Sequence, residues 1–249
     1  MAMDIRMMGN MAYAEALHLQ ESLQAARIQG EIPDTLLLLE HPPVITMGRR
    51  ASPANILMPK EVLDGMGVQV VDINRGGDVT YHGPGQLVGY PIFDLKCHGR
   101  DIRLFLERLE ELFIRILALY GIQAHGETGR HTGVFCGTDK IVAFGISVRQ
   151  WVTMHGFAFN VNTDLSHFEW IVPCGLEDRG VTSMRKILGR PVPMRQVMDQ
   201  AAELFKEMFP GNDVSETLIE FPVKDESFCL DSPMVLPEVV VMKSAGGHQ

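Results

Sequence analysis

The apolar positions of this chain follow two periods, and each switch between them marks an element. Thr35-Leu-Leu-Leu-Leu-Glu40 is apolar throughout and of strand length, which predicts a strand buried inside a sheet. His41-Pro-Pro43 breaks that run, and Val44 to Met47 then predicts more extended structure. Ala12, Ala16, Leu19, Leu23 and Ala26 recur at four- and three-residue spacings, one face of a helix with Asn10 as N-cap and Gly30 as its stop. Pro59 opens a short helix through Leu63, and Val68 to Ile73 is β-type. Asp101 caps the clearest helix, whose stripe of Ile102, Phe105, Leu106, Leu109, Leu112, Phe113, Ile116 and Leu117 is closed by Gly121. Three extended segments follow: Gly133 to Cys136, Lys140 to Val148, and Val152 to Val161. A turn at Thr138-Asp139 puts Lys140 where a strand begins. Leu165 to Ile171 predicts one helical turn, and Val197 to Phe209 a helix stopped by Pro210-Gly211. The pattern implies one domain over residues 1–214 and a tail, 215–249, with little periodicity.

One stretch fits neither period. Arg75-Gly-Gly-Asp-Val-Thr-Tyr-His-Gly-Pro-Gly-Gln86 is rich in glycine and proline, so its backbone is shaped and open to close approach. Gly76 and Gly77 leave main-chain N–H groups without side-chain cover, Arg75 brings a fixed positive charge, and His82 can donate or accept a hydrogen bond. Without further context it reads as a pair of turns joining two strands, the second beginning near Val88. It carries neither the Gly-Lys-Ser/Thr ending of a phosphate loop nor a dinucleotide Gly-x-Gly-x-x-Gly.

Composition narrows the class. The chain has 249 residues, 46% hydrophobic and 21% charged, enough for one sizeable α/β core. A net charge of −9 argues against nucleic acid as the main partner. No apolar run reaches membrane-span length, and the N-terminal residues lack the apolar core of a signal peptide. Cys97, Cys136, Cys174 and Cys229 have no metal-binding spacing, so free thiols in a reducing cytoplasm are expected, with no metal and no cofactor.

Among the thiols, Cys174 stands apart because Pro173 and Gly175 force a turn around it. A thiolate can attack an acyl group, but a cysteine at pH 7 needs a base or a positive charge nearby to ionise. His82, His155 and Lys140 are the candidates, although a lysine is ordinarily a solvated surface group and a mid-strand histidine ordinarily structural.

These residues resemble a known family. Arg75 through Tyr90 is similar to the signature of the lipoyl(octanoyl) transferases, and Glu40-His-Pro-Pro-Val-Ile-Thr-Met-Gly-Arg49 resembles the segment before it. Lys140-Ile-Val-Ala-Phe-Gly-Ile-Ser-Val-Arg149, His155-Gly-Phe-Ala-Phe-Asn-Val161 and Pro173-Cys-Gly175 resemble the remaining blocks, in the same order. Gln150-Trp151-Val152 departs from the basic residue, glycine and cysteine more usual there, and the tail has no counterpart.

The resemblance implies an α/β (α+β) fold, a mixed sheet packed with helices as in biotin and lipoate protein ligases. It implies Cys174 as nucleophile and acyl carrier, with Lys140 as its acid/base partner. Arg75, Gly76, Gly77, Asp78, Val79, Thr80, Tyr81 and His82, then Ala143, Phe144 and Gly145, then His155, Gly156, Phe157 and Ala158, would line the acyl site. Main-chain N–H groups near Gly76, Gly77 or Gly145 would stabilise a tetrahedral oxyanion. The implied partners are octanoyl-acyl carrier protein, lipoyl domains of 2-oxoacid dehydrogenase complexes and the glycine cleavage H protein. Arg49, Arg50, Arg130 and Arg149 are candidates for a basic rim that attracts these acidic carriers. The alternatives are an amidotransferase or ATP-dependent ligase on the same fold, or a binding module without turnover.

Overall fold

The Leu36 to Leu39 run is buried on both sides because its alternating side chains serve two cores. In the computed structural model, which describes residues 3–127, 132–172 and 179–210, this run is β2 (Thr35–Glu40). Leu36 and Leu38 face one hydrophobic cluster and Leu37 and Leu39 another.

β2 lies in a seven-stranded mixed sheet of order β1-β2-β6-β10-β9-β8-β7. Its other members are β1 (Asp4–Asn10), β6 (Gln86–Ile92), β7 (His125–Glu127), β8 (Gly133–Cys136), β9 (Asp139–Arg149) and β10 (Val152–Asn160). Only β1 and β2 run parallel; the remaining neighbours are antiparallel. On one face, α3 (Ile102–Ala118) and α5 (Met194–Met208) bury Phe105, Phe113 and Phe205 against Leu87, Phe157 and Phe159. On the other, α1 (Tyr13–Gln29) buries Ala16 and Leu23 against Val88, Tyr90 and Met154. A second sheet, β4-β3-β5, consists of β3 (Val44–Met47), β4 (Gln69–Asp72) and β5 (Val79–His82). Its own small core takes Leu63 from α2 (Lys60–Gly65) and Phe168 from the 3₁₀ turn Leu165–Trp170.

Several boundaries differ from the sequence reading. Asn10 does not cap α1; it ends β1, a strand whose weak alternation hid it, and Ala12 is the N-cap. The buried face of α1 is also offset from the Ala12 stripe. Tyr13, Gln20 and Gln24 point inward, because Gln24 Nε2 donates to Val152 O at 3.0 Å and Gln20 Oε1 accepts from His155 N at 2.9 Å. Two glutamines thus bind the main chain of β10, a role periodicity counts as solvent. Also unread were β7, three residues long, and α4 (Met184–Leu188), five residues capped by Ser183.

The turn between β9 and β10 falls at the departure, Gln150-Trp151. Both residues have positive φ, 51° and 71°, as a two-residue type I′ hairpin requires, although neither is glycine. Trp151 is held from outside: its carbonyl accepts from Leu95 N at 2.8 Å, and the Arg100 guanidinium lies 5.0 Å from its ring.

Candidate active site

The glycine-rich stretch holds a strand between a bend and a turn. Its middle, Val79–His82, is β5, which pairs antiparallel with β3; the bend before it folds over β9, where Gly76 N donates to Ile146 O at 3.1 Å, and the turn after it leads into β6. The two sheets therefore meet at this loop, and a cavity of about 50 Å³ lies between them. Its walls are Arg75, Gly77, Thr80 and His82 from the loop and β5, Ala143 to Gly145 from β9, His155 to Ala158 from β10, and Tyr13 and Tyr90.

Glycine makes the close approach of strands possible. A Cβ on Gly156 would run into Gly89 O and Pro91 Cδ of β6, and one on Gly48 would meet Gly77 O at 2.6 Å.

Arg75 is buried, its guanidinium donating from Nη2 to Thr46 O at 2.8 Å and to Thr46 Oγ1 at 2.9 Å. A chain of polar groups leads away from it. Thr46 Oγ1 lies 3.4 Å from His82 Nε2, and His82 Nδ1 pairs with Gln86 Oε1 at 2.8 Å. Gln86 Nε2 donates to Asn160 Oδ1 at 2.9 Å, and Asn160 Nδ2 to Thr182 O at 3.1 Å. Because Gln86 spends its amide hydrogens on Asn160 and Tyr81 O, its Oε1 must accept, which places the His82 proton on Nδ1. His41 is fixed likewise: Nδ1 faces Met11 O at 2.7 Å, so Nε2 accepts from the Tyr90 hydroxyl at 2.7 Å. Burial pushes the His82 pKa down to about 3, with His41 and Arg75 adding to the shift. Burial likewise holds His41 and His155 near 4, in the second case with help from Arg75 and Arg49. All three imidazoles are neutral at pH 7, so Arg75 supplies the charge of this region.

Not every expected residue reaches the cavity wall. Gly76 spends its N–H on Ile146 O, so it is not an oxyanion donor. Asp78 turns away, binding Asn55 Nδ2 and Val79 N. Val79 and Tyr81 are fully buried in the small core, and the Tyr81 hydroxyl pairs with His167 Nδ1 at 2.7 Å. Sequence reasoning in turn missed Tyr13 and Tyr90. Tyr90 stood inside the signature stretch, while Tyr13 lies one position off the stripe assigned to α1.

Lys140 lies at the start of β9, three residues before the first cavity residue of that strand. It is buried, with Nζ 3.4 Å from Thr132 O and 5.2 Å from the centroid of the Phe135 ring. Its main chain is clamped: Lys140 N donates to Gly180 O and Thr182 N to Lys140 O, each at 2.9 Å. Cys174, Pro173, Gly175 and Arg130 lie outside the described residues, as does the tail. Cys136 is no substitute nucleophile, since burial, aided by Asp139, pushes its thiol up to about 11. Cys97 is exposed, away from the cavity wall. Arg49 and Arg149 line a second, larger groove at the far end of β9 from Lys140, and Arg50 is exposed.

Residues 12–206 match the family described as Lipoyl protein ligase A/B catalytic domain. The chain belongs to that family. Among its relatives, an octanoyltransferase of Caldicellulosiruptor bescii is 56% identical over 210 residues, covering 84% of this chain and 92% of the relative. An octanoyltransferase of Desulforamulus reducens is 50% identical over 210 residues, again 84% and 92%. Among solved structures, a lipoate-protein ligase A bound with ATP superposes with a TM-score of 0.69 at 16% identity, covering 88% of this chain and 90% of that one. A putative lipoate protein ligase from T. acidophilum gives 0.67, also at 16% identity, with the same coverage. The mixed α/β architecture is thus that of the lipoyl ligase A/B catalytic domain.

Proposed function

We propose that this protein is an acyltransferase of lipoate biosynthesis. It moves an octanoyl group from octanoyl-acyl carrier protein to a lysine of lipoyl domains, through a thioester on Cys174. The octanoyl specificity is supported by relatives 50 and 56% identical over most of the chain. The acceptors are the lipoyl domains of 2-oxoacid dehydrogenase complexes and the glycine cleavage H protein, and the compartment is the cytoplasm.

The observation that carries the mechanism is the position of Lys140. It is buried on β9, the strand that lines the cavity from Ala143 onward, and hydrogen-bonded through its main chain to Gly180, six residues after Cys174. Acting as general base, Lys140 Nζ takes the Cys174 thiol proton, and the thiolate attacks the carrier thioester. The new C–S bond forms as the carrier C–S bond breaks, and the proton leaves on the carrier thiol. Both species are thioesters, so this step is nearly balanced. The acceptor lysine then attacks, Lys140 removes its proton, and the amide forms as the Cys174 thiol departs. The amide is the more stable product, so the reaction needs no ATP. Arg75, Gly77, Thr80, His82, Ala143, Phe144, Gly145, His155, Gly156, Phe157 and Ala158 form the acyl site.

The test is intact mass spectrometry of enzyme mixed with octanoyl-carrier and no acceptor. A mass gain of one octanoyl group on Cys174, released by neutral hydroxylamine and discharged by apo-lipoyl domain, is expected. Undiminished turnover by Cys174→Ser would overturn the covalent route.

A further inference from the structure

We propose that His155 closes the far end of the acyl cavity and so sets the length of acyl chain the enzyme accepts. The proposal rests on the reading of that cavity as the acyl site.

Two cavities meet at His155. The first is the small cavity already described; the second is a groove of about 600 Å³ lined by Arg49, Ile102, Val148 and Arg149 among others. Their walls change hands between consecutive residues on three elements. Asn74 lines the groove and Arg75 the cavity; Ile146 the groove and Gly145 the cavity; Met154 the groove and His155 the cavity. Of the three residues on the cavity side of this seam, Gly145 has no side chain, and the Arg75 stem lies over it, fixed by the guanidinium on Thr46. The imidazole of His155 is the other side chain at the partition.

Its structure is that of a residue held there against its local preferences. Strand alternation puts Met154 on the α1 face, yet His155, Gly156, Phe157 and Ala158 all line one cavity. The alternation breaks at His155, whose φ of 59° is rare for a side chain with a Cβ. The turned backbone is pinned from α1, where Gln20 Oε1 accepts from His155 N at 2.9 Å. Among the described residues, both ring nitrogens of His155 are buried without a hydrogen-bond partner. A residue kept only for packing would be a hydrocarbon in ordinary strand geometry. Strain and unmet polarity at one position, on a cavity wall, are the marks of a functional site.

Direction along β9 gives the partition its meaning. Lys140 begins the strand, Ala143 to Gly145 line the cavity, and Ile146 lies beyond it. The six residue steps from Lys140 to Ile146 span about 20 Å at about 3.3 Å each. The Lys140 side chain covers part of that span, its Cε packing against Gly133, which pairs with Ala143, so an octanoyl chain carried beside Nζ points its methyl terminus toward His155. Longer chains meet the imidazole, and without it they would run on into the groove beside Ile146 and Val148.

The test compares wild type, His155→Gly and His155→Asn on saturated acyl carriers of eight, ten, twelve and fourteen carbons, with Tm measured alongside. Glycine adopts this φ without strain and asparagine tolerates it, so neither change should cost the fold through its backbone. In His155→Gly the ratio of kcat/KM for twelve carbons to that for eight should rise at least tenfold over wild type. His155→Asn should fall between. An unchanged ratio in folded His155→Gly, or an equal loss at every chain length, overturns the proposal. So does unfolding of both variants, which would make His155 a structural residue. Failure of the wild-type protein to transfer octanoate would instead strike the acyl-site reading itself.

Discussion

Asn160 holds Thr182 by its carbonyl at 3.1 Å, while the amide of the same Thr182 donates to Lys140 O at 2.9 Å. One side chain on β10 thus reaches the main chain of the candidate acid/base through a single intervening residue. On its other side, Asn160 Oδ1 accepts from Gln86, which leads through His82 and Thr46 to Arg75. The two ends of the candidate site share one buried polar network, and a fully satisfied network of this kind is rigid.

Breaking that network at Asn160 should therefore cost more than stability. Asn160→Leu leaves Gln86 Nε2 and Thr182 O each short of a buried partner, a loss of about 1–3 kcal/mol per orphaned group. Because Lys140 is positioned through Thr182, kcat should fall while KM for the octanoyl carrier changes little. Denaturation curves and single-turnover rates on one preparation check both halves, and an unchanged kcat would disconnect Asn160 from Lys140.

Lys140 itself should separate chemistry from packing. Lys140→Ala should slow both acylation and transfer, by roughly 10²–10⁴-fold for a general acid–base group. Lys140→Arg should restore little, since a guanidinium does not release its proton. Wild-type rates in the arginine variant would remove Lys140 from the mechanism.

The buried histidines make stability depend on pH. Burial lowers His41 to about 4, His82 to about 3 and His155 to about 4, against about 6.5 in an unfolded chain. Between those values the unfolded chain binds more protons than the folded one. The stability these groups contribute is whole above pH ~6.5 and falls as pH drops toward their folded values. The loss approaches about 1.4 kcal/mol per pH unit for each histidine. Urea midpoints at pH 7.5 and pH 5 should show the decline, and His41→Gln should shallow it. A midpoint constant across that range would contradict neutral burial of the three rings.

The sequence by itself determined the strands and helices whose patterns are long and uniform. β2 was legible because four consecutive leucines can be hidden only between two cores. α3 was legible from its stripe and the Asp101 cap, which accepts from Arg103 N at 2.8 Å. The cavity-lining segments were legible through family resemblance, since glycines at 145 and 156 mark where backbones approach. What tertiary structure decided is where polar side chains go. Gln20 and Gln24 read as the solvent face of α1, yet they bind β10, because a partner 128 positions away in the chain satisfies Gln24. The resemblance implied Tyr81 and Asp78 as site residues, but strand alternation turns Tyr81 into the small core and Asn55 draws Asp78 away. His155 read as a mid-strand histidine from its pattern and as an acyl-site residue from the resemblance. Its positive φ and unpartnered ring arise only when α1, β9 and the Arg75 loop close on it. Apolar burial is written in short-range periodicity, whereas the direction of a buried polar group depends on which distant donor or acceptor folding brings within about 3 Å.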